Sequence, residues 1–197
     1  ALVYMPNSNL SENLRFRNNR FVGGSHGIYL LGNTNGGNYA GGIEVDGNSF
    51  TDHYYRAMYL GGLRTAKVRN NTFLSNSNYS NIRGFEIANS YFGLEMTGNR
   101  VSGQNTGIGI FLDDVYGTVD HTVLLANNFV QVGGTKTVQG IYVDRGNYQK
   151  IYHNSVNLTN TNAYSYSYFA ISWSIGQVDF YIFANVWGGR TFRNISA

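Results

Sequence analysis

Hydrophobic and polar residues alternate in short runs along the whole chain of 197 residues. Each run covers four to six residues, which is the period-two pattern of a β-strand with one buried face. No stretch of about 11 to 18 residues keeps apolar residues at the spacing of a helical face. The pattern therefore predicts an all-β chain of short strands joined by many turns.

The alternating runs repeat, and each copy carries an asparagine at the same place. The seven asparagines in register are Asn19, Asn48, Asn71, Asn99, Asn128, Asn154 and Asn185. The residues three places before and two places after each asparagine are apolar in every copy. In six of the seven units a second apolar segment follows, reading GIYL, AMYL, GFEI, GIFL, GIYV and AISW. Self-similarity of this kind indicates a repeat architecture.

The length of the unit varies from 23 to 31 residues, and the variation lies in the connections. A unit of two or three strands without a helix buries its apolar face only by stacking on the next unit. With coils about 4.8 Å apart, seven coils would form a rod roughly 34 Å long. A β-sandwich is the alternative, but sandwich strands do not repeat residue identities in register.

The repeat resembles that of the pectate-lyase-like superfamily over nearly the whole chain, from about residue 14 onward. The resemblance implies a right-handed parallel β-helix of about seven coils, with residues 1–197 as a single domain. Solenoid ends need a polar cap, and neither residues 1–13 nor the last segment, RTFRNISA, provides one that would cover Trp187 and Phe192. We therefore expect a fragment of a longer protein, with neighbouring coils or domains against its ends.

The repeated asparagine lies where a strand ends and the chain bends. Asparagine tolerates the bridge and left-handed backbone regions that such bends use. Its side-chain amide both donates and accepts hydrogen bonds, so identical amides in neighbouring coils are expected to form a ladder inside the solenoid. We therefore predict a structural role for the asparagines and expect function on outward-facing positions.

The composition excludes several classes of partner and site. Charged residues make up 13% of the chain, and its net charge of +3 includes no run of Lys and Arg, so nucleic acid is not an expected partner. The absence of cysteine excludes disulfides and thiolate metal sites. No apolar run approaches the roughly 18 residues of a membrane span, so membrane insertion is not expected.

One outward column, four places before the asparagine, carries charges of alternating sign through its first four coils. Its members are Arg15, Glu44, Lys67, Glu95, Leu124 and Lys150. Alternation avoids contact between like charges on strands about 4.8 Å apart. We predict that this column is a solvated charge ladder without a ligand.

A second outward column lies in the second apolar segment of each unit. Its members are Tyr29, Tyr59, Glu86, Phe111, Tyr142 and Ser172. Flat rings at a regular rise offer a surface on which sugar rings or another protein can stack. The alternative is that the longer connections, residues 74–83 and 157–168, cover the rings. The predicted ligand-binding residues are Tyr29, Tyr59, Phe111, Tyr142 and Arg145.

Two acids, Asp113 and Asp144, occupy equivalent places in adjacent coils, and the next position puts Asp114 beside Arg145. Two carboxylates about 5 Å apart can bind a hard cation such as calcium, or divide acid and base roles in glycosidic chemistry. The alternative is a local role, because acids are common in turns. The candidates that the repeat does not place are Asp120, His121 and His153.

Two functions from different classes fit these features. A narrower resemblance, carried by IYHNSVNLTNT, AISWSIG and YIFANVWGG, is to large secreted surface proteins of Bacteroidota. It implies a surface or adhesin-like structural segment. With the aromatic column, the first function is a non-catalytic segment, secreted or at the cell surface, that binds a polysaccharide or cell-surface glycan through that column. The alternative is a polysaccharide lyase or glycoside hydrolase that uses Asp113 and Asp144. No cofactor is expected apart from calcium, for which Asp113 and Asp144 are the candidate ligands.

Overall fold

The structure, a computed structural model, describes residues 1–6, 12–33, 39–77, 79, 81–159, 165–172, 183–187 and 193–196. For the strands after Ser165 only the backbone is described, so the predicted exposure of Trp187 and Phe192 lies outside the described residues. The described part contains 20 strands and no helix, and its strand pairings are parallel. The predicted all-β parallel solenoid is confirmed.

The strands stack on three faces, named here A, B and C, and the chain visits them in the order B, C, A. Face A contains β1 (Val3–Met5), β4 (His26–Leu31), β8 (Arg56–Gly61), the first half of β11 (Ile82–Thr97), β13 (Thr106–Tyr116), β16 (Gln139–Asn147), β18 (Tyr166–Ser172) and β20 (Arg193–Ser196). Face B contains β2 (Arg15–Arg17), β5 (Ala40–Gly41), β6 (Glu44–Asp46), β9 (Leu63–Arg69), the second half of β11, β14 (Val123–Ala126) and the first half of β17 (Gln149–Leu158). Face C contains β3 (Arg20–Val22), β7 (Ser49–Thr51), β10 (Thr72–Ser75), β12 (Arg100–Gly103), β15 (Phe129–Val132), the second half of β17 and β19 (Phe183–Trp187).

The solenoid has about five turns, fewer than the seven predicted. The complete turns run over residues 15–31, 44–61, 63–88, 94–116 and 123–147. Further copies of the repeat pair in register as β17 to β20. Parts of these copies lie outside the described residues.

The core fills the space between the three faces and contains the predicted apolar columns. Its largest members include Phe50, Phe73 and Phe85, which are at most 1% exposed. Their rings contact one another, with centroids 5.7 Å apart for Phe50 and Phe85 and 6.5 Å apart for Phe73 and Phe85. Burial of such a side chain stabilises the fold by about 1.5 to 3 kcal/mol.

The repeated asparagines form the predicted ladder between faces B and C. From Asn48 to Asn154, the side-chain oxygen of each asparagine accepts from the backbone N–H and from Nδ2 of the asparagine one turn earlier, at 2.9–3.0 Å. Nδ2 also donates to a backbone carbonyl of the preceding turn, for example from Asn99 to Val68 at 2.9 Å. The members from Asn48 to Asn154 are at most 1% exposed, so the ladder satisfies polar groups that water does not reach.

The left-handed bend lies one residue before each ladder asparagine, not at the asparagine itself as predicted. The residues with positive φ at this place are Asn18, Gly47, Asn70, Gly98, Asn127 and His153. Glycine and asparagine adopt this conformation at low cost. The bend thus leaves the ladder asparagine free to align its amide with its neighbours.

The predicted charge column is present on face B, and Glu44 has a more specific role in it than a solvated ladder would give. Glu44 is 8% exposed, and its two oxygens accept from Arg17 and Arg69, each at 2.7 Å. The hydrogen bond from Arg17, followed by that from Arg69, holds the pKa of Glu44 below its ordinary value against the effect of burial. Glu44 therefore links the first three turns.

Candidate functional site

The second outward column lies on face A, where its side chains are register partners in successive turns. The column begins one strand earlier than predicted and reads Tyr4, Tyr29, Tyr59, Glu86, Phe111 and Tyr142. The backbone partner of Tyr142 in the next turn is Phe169, and Ser172 pairs with Ser196 instead. The prediction placed Ser172 here because AISW was aligned three residues too late.

The aromatic members, named here the ring column, stack on one another along the solenoid axis. Tyr29 and Tyr59 lie 4.8 Å apart with 16° between their planes, and Phe111 and Tyr142 lie 4.7 Å apart with 10° between theirs. Phe111 is only 6% exposed, and Tyr29, Tyr59 and Tyr142 are half-buried. The ring faces therefore contact one another, so a ligand would contact mainly ring edges and hydroxyl groups.

Glu86 interrupts the ring column. At this place two arginine side chains, in place of an aromatic ring, stack on the neighbouring rings. The carboxylate of Glu86 is 3% exposed, forms an ion pair with Arg56 and accepts from Arg83 at 2.8 Å. The guanidinium of Arg56 lies 5.1 Å from the ring centroid of Tyr59, and that of Arg83 lies 5.0 Å from Phe111. Cation–π contacts thus continue the stack across the gap, with one positive charge in excess.

A groove of about 390 Å³ runs beside this break in the ring column. Arg83 lines the groove. Its register partners on the neighbouring strands of face A are Arg56 and Ile108. The groove is lined by Tyr55, Asn81, Arg83, Gly107, Ile108, Thr137 and Gln139. Hydroxyl, amide and guanidinium groups predominate among its polar side chains, so it can donate and accept hydrogen bonds.

The predicted acid pair lies on the same face, two residues along each strand from the rings. Asp113 and Asp144 are register partners, and Arg145 lies among the acids, at 2.8 Å from Asp114, 3.4 Å from Asp113 and 4.0 Å from Asp144. Burial raises the pKa of Asp113, with further contributions from Asp114 and Asp144. The guanidinium of Arg145 thus supplies the positive charge that a bound cation would otherwise bring.

A second ring stack lies next to the acids and was not predicted. Tyr91 contacts Tyr39 at 4.7 Å and Tyr116 at 4.9 Å, and the hydroxyl of Tyr116 donates to Asp114 at 3.0 Å. Burial, together with Asp114, raises the pKa of Tyr116 to about 12. Tyr91 and Tyr116 directly follow the register partners Ser90 and Val115, so counting five residues on from Glu86 and Phe111 would have aligned them. Tyr39 lies in a connection that the repeat does not place.

The three residues that the repeat did not place lie away from the acid pair. Asp120 and His121 line a cavity at the corner between faces A and B, and the ring of His153 lies edge-on to Tyr152, with centroids 5.2 Å apart. Among the residues that the structure describes, no three His, Asp or Glu side chains are placed to hold a metal ion. Nor does any described helix have the length and hydropathy of a membrane span.

This parallel solenoid with an internal asparagine ladder agrees with the comparison against protein families. A family model described as "Periplasmic copper-binding protein (NosD)" matches residues 5–189. The chain belongs to the NosD family. The match confirms the predicted likeness to pectate-lyase-like proteins, because NosD is a right-handed parallel β-helix family of that kind. A search of curated proteins and a search of solved structures each found no match.

The copper named in the NosD description does not fit the residues of this chain. Copper prefers cysteine, methionine and histidine ligands, and the chain has no cysteine. Met58 and Met96 are fully buried in the core of different turns. His26 and His53 approach each other, but the guanidinium of Arg56 lies 3.5 Å from Nε2 of His26, where it would repel a cation.

Proposed function

We propose that this member of the NosD family is a non-catalytic, extracytoplasmic β-helix that binds a glycan on face A. The groove beside the ring column is the observation that carries the proposal. It combines polar side chains with Arg83, whose guanidinium stacks on Phe111 and so joins the groove to the column. Ligand sites of this kind pair apolar surface with a few fixed polar groups.

The charge of the groove favours an acidic sugar. Arg56 and Arg83 share one carboxylate, Glu86, so the break in the ring column keeps one positive charge that the described ion pairs do not balance. A uronate carboxylate would accept from a guanidinium in a charge-assisted hydrogen bond. Ring edges and tyrosine hydroxyls along the column would contact the neighbouring sugar units. Such a role also suits a cell-surface or adhesin-like protein.

The location outside the cytoplasm is supported by the family description, which names a periplasmic protein. Copper is not included in the proposed function, because within the described part of the chain no three His, Asp or Glu side chains come together to hold a metal ion, and Met58 and Met96 are buried in the core. Neighbouring coils or domains of a longer chain are the other proposed partners.

The proposal is tested by measuring the affinity for pentagalacturonate by calorimetry. Arg83→Gln removes the charge at the groove and should weaken binding by about 10-fold or more, the equivalent of one charge-assisted hydrogen bond. Arg100→Gln is the matched control, because Arg100 stacks on Phe129 at 4.8 Å on face C in the same way. Equal loss in both variants, or no binding by the parent protein, would refute the proposal.

The second candidate is a polysaccharide lyase or hydrolase, favoured by the raised pKa of Asp113 beside Asp144. A carboxyl group whose pKa is raised beside a second carboxyl group is an arrangement that can divide acid and base roles. Reducing-end release or unsaturated product from acidic and neutral polysaccharides, lost in Asp113→Asn, would establish this candidate. Binding without turnover would favour the non-catalytic role.

A further inference from the structure

A bulge at the corner between faces A and B places one aromatic side chain on the surface. The pairing of β11 with β9 shifts register between Tyr91 and Leu94, so Phe92 and Gly93 stand opposite the single residue Thr65. Bulges of this kind re-aim side chains and are common next to functional sites. Here the re-aimed side chain is Phe92, which is 45% exposed.

The backbone at this corner is strained, because two of its residues adopt a conformation that is unfavourable for their side chains. Thr65 has φ 51° and Phe92 has φ 60°, in the left-handed region where β-branched and bulky residues are outliers. Gly42 occupies the equivalent place one turn before Thr65, with φ 69°. Glycine would therefore satisfy the corner, and strained non-glycine residues cluster where a function requires their side chains.

Two cavities, of about 270 and 410 Å³, open beside Phe92. Both are lined by Thr65, Phe92 and His121, and together they are named here the Phe92 cleft. The connection that carries His121 packs directly on the bulge, because its carbonyl oxygen lies 2.9 Å from where a Cβ of Gly93 would be. The bulge thus brings the connection between turns four and five against an exposed ring in the connection between turns three and four.

The polar groups of the Phe92 cleft carry both signs of charge. Lys67, Glu95 and Asp120 line the first cavity, and an ion pair of 2.6 Å between Arg64 and Glu12 borders the second. Carboxylates accept hydrogen bonds from hydroxyl groups, and Lys and Arg donate to them. A strongly charged ligand of either sign would meet like charges here, whereas an uncharged ligand with many hydroxyl groups would not.

We infer that the Phe92 cleft is a binding site for a neutral saccharide, separate from the groove on face A. The ring of Phe92 supplies an apolar surface for the C–H face of a sugar, and the mixed polar groups supply partners for its hydroxyls. Within the described residues no other aromatic ring stacks on Phe92. Phe92 is 45% exposed and lines both cavities.

The test measures binding of maltohexaose, cellohexaose and mannohexaose by protein-observed NMR, together with the thermal unfolding midpoint. Phe92→Gly removes the ring and the strained φ at once. It should weaken binding of the recognised oligosaccharide by about 10-fold, while the unfolding midpoint rises or stays unchanged. His121→Ala should weaken the same binding, and Leu74→Ala, which removes a side chain 47% exposed on face C, should not.

Three results would overturn the inference: no binding of any of the three oligosaccharides at millimolar concentration, full affinity in Phe92→Gly, or a lower unfolding midpoint in that variant. The last result would mean that Phe92 is held for stability. The outcome is independent of pentagalacturonate binding on face A, since Arg83 does not line the Phe92 cleft.

Discussion

The asparagine ladder and the ring column are both stacks of side chains that rise by one member per turn, yet they differ in regularity and burial. Every described ladder member is the same residue with the same partners one turn away. The ring column mixes tyrosine and phenylalanine, is half-buried, and is broken at Glu86. The ladder tolerates no variation because its amides have no water to replace a missing partner.

The difference shows where this solenoid can carry function. A residue change within the asparagine ladder leaves buried polar groups unpaired. A residue change in one turn of face A, or at its edge, instead creates a local surface feature. At Glu86 that feature is a pair of guanidinium groups and a groove. At Phe92 it is a bulge with an exposed ring. Both candidate binding sites therefore lie where the repeat is interrupted.

The largest effect is expected inside the ladder. Asn99→Leu removes the acceptor of Asn71 and a donor to both Val68 and Asn128, so at least two buried groups lose partners at about 1 to 3 kcal/mol each. We expect a loss of about 3 to 5 kcal/mol in the free energy of unfolding, measured with urea. Asn19→Leu is the control at the exposed end of the ladder and should cost less than about 1 kcal/mol. Equal losses would contradict the ladder.

The break in the ring column should be the next most sensitive place. Glu86→Leu leaves Arg56 and Arg83, whose side chains are 14% and 31% exposed, without their shared carboxylate. We expect a loss of about 2 to 4 kcal/mol, below the range for a fully buried pair because both arginines reach water. Glu95→Leu, whose carboxylate lies 3.8 Å from Arg69 and is 35% exposed, should cost under about 1 kcal/mol. Denaturant unfolding of both variants makes the comparison.

A smaller effect should be a dependence of stability on pH that arises beside the ring column. The asparagine ladder has no titratable member, so it should not contribute. Burial, with Arg56 as the next cause, lowers the pKa of His26 from 6.5 to about 4, and its ring lies edge-on to Tyr29 at 5.3 Å. The unfolded chain binds this proton more tightly, so stability should fall as the pH drops from 6.5 towards 4. His26→Gln should flatten that slope and leave stability at pH 8 nearly unchanged. An identical pH profile in the variant would contradict the assignment.

The smallest expected effect is a gain at the acid pair. The pKa of Asp113 is raised, so the folded state holds this proton more tightly than the unfolded chain, and ionisation at neutral pH lowers stability. Asp113→Asn should therefore unfold at a slightly higher temperature than the parent at pH 7. The gain should disappear once the pH falls below the range in which Asp113 titrates. A clear loss at pH 7 would show that Arg145 depends on this carboxylate.

The sequence predicted those parts of the fold in which each turn repeats the same chemistry. The asparagine ladder, the apolar columns and the pairing of Asp113 with Asp144 all follow from register alone. Register also predicted the ring column as far as Tyr142, but failed at Ser172, where the similar letters of AISW were aligned with the wrong strand position. Counting copies gave seven turns where about five are found.

What the sequence did not predict depends on contacts between side chains or on irregular connections. Glu86 pairs with Arg56 of the preceding turn and with Arg83 three residues earlier in its own strand, and both ion pairs depend on rotamers that no repeat specifies. The stack of Tyr91 with Tyr39 and Tyr116 includes Tyr39, which lies in a connection that the repeat does not place. The bulge at Phe92 arises from one extra residue, which a comparison of unit lengths cannot place. These are also the features that make up the candidate sites.

The most direct test of the central claim, that face A binds a glycan while the ladder only supports it, is amide hydrogen exchange with and without pentagalacturonate. Binding should slow exchange in the face A strands that border the groove, β8, the first half of β11, β13 and β16, and leave the corner between faces B and C unchanged. Protection confined to the ladder corner, or no protection anywhere at saturating ligand, would contradict it.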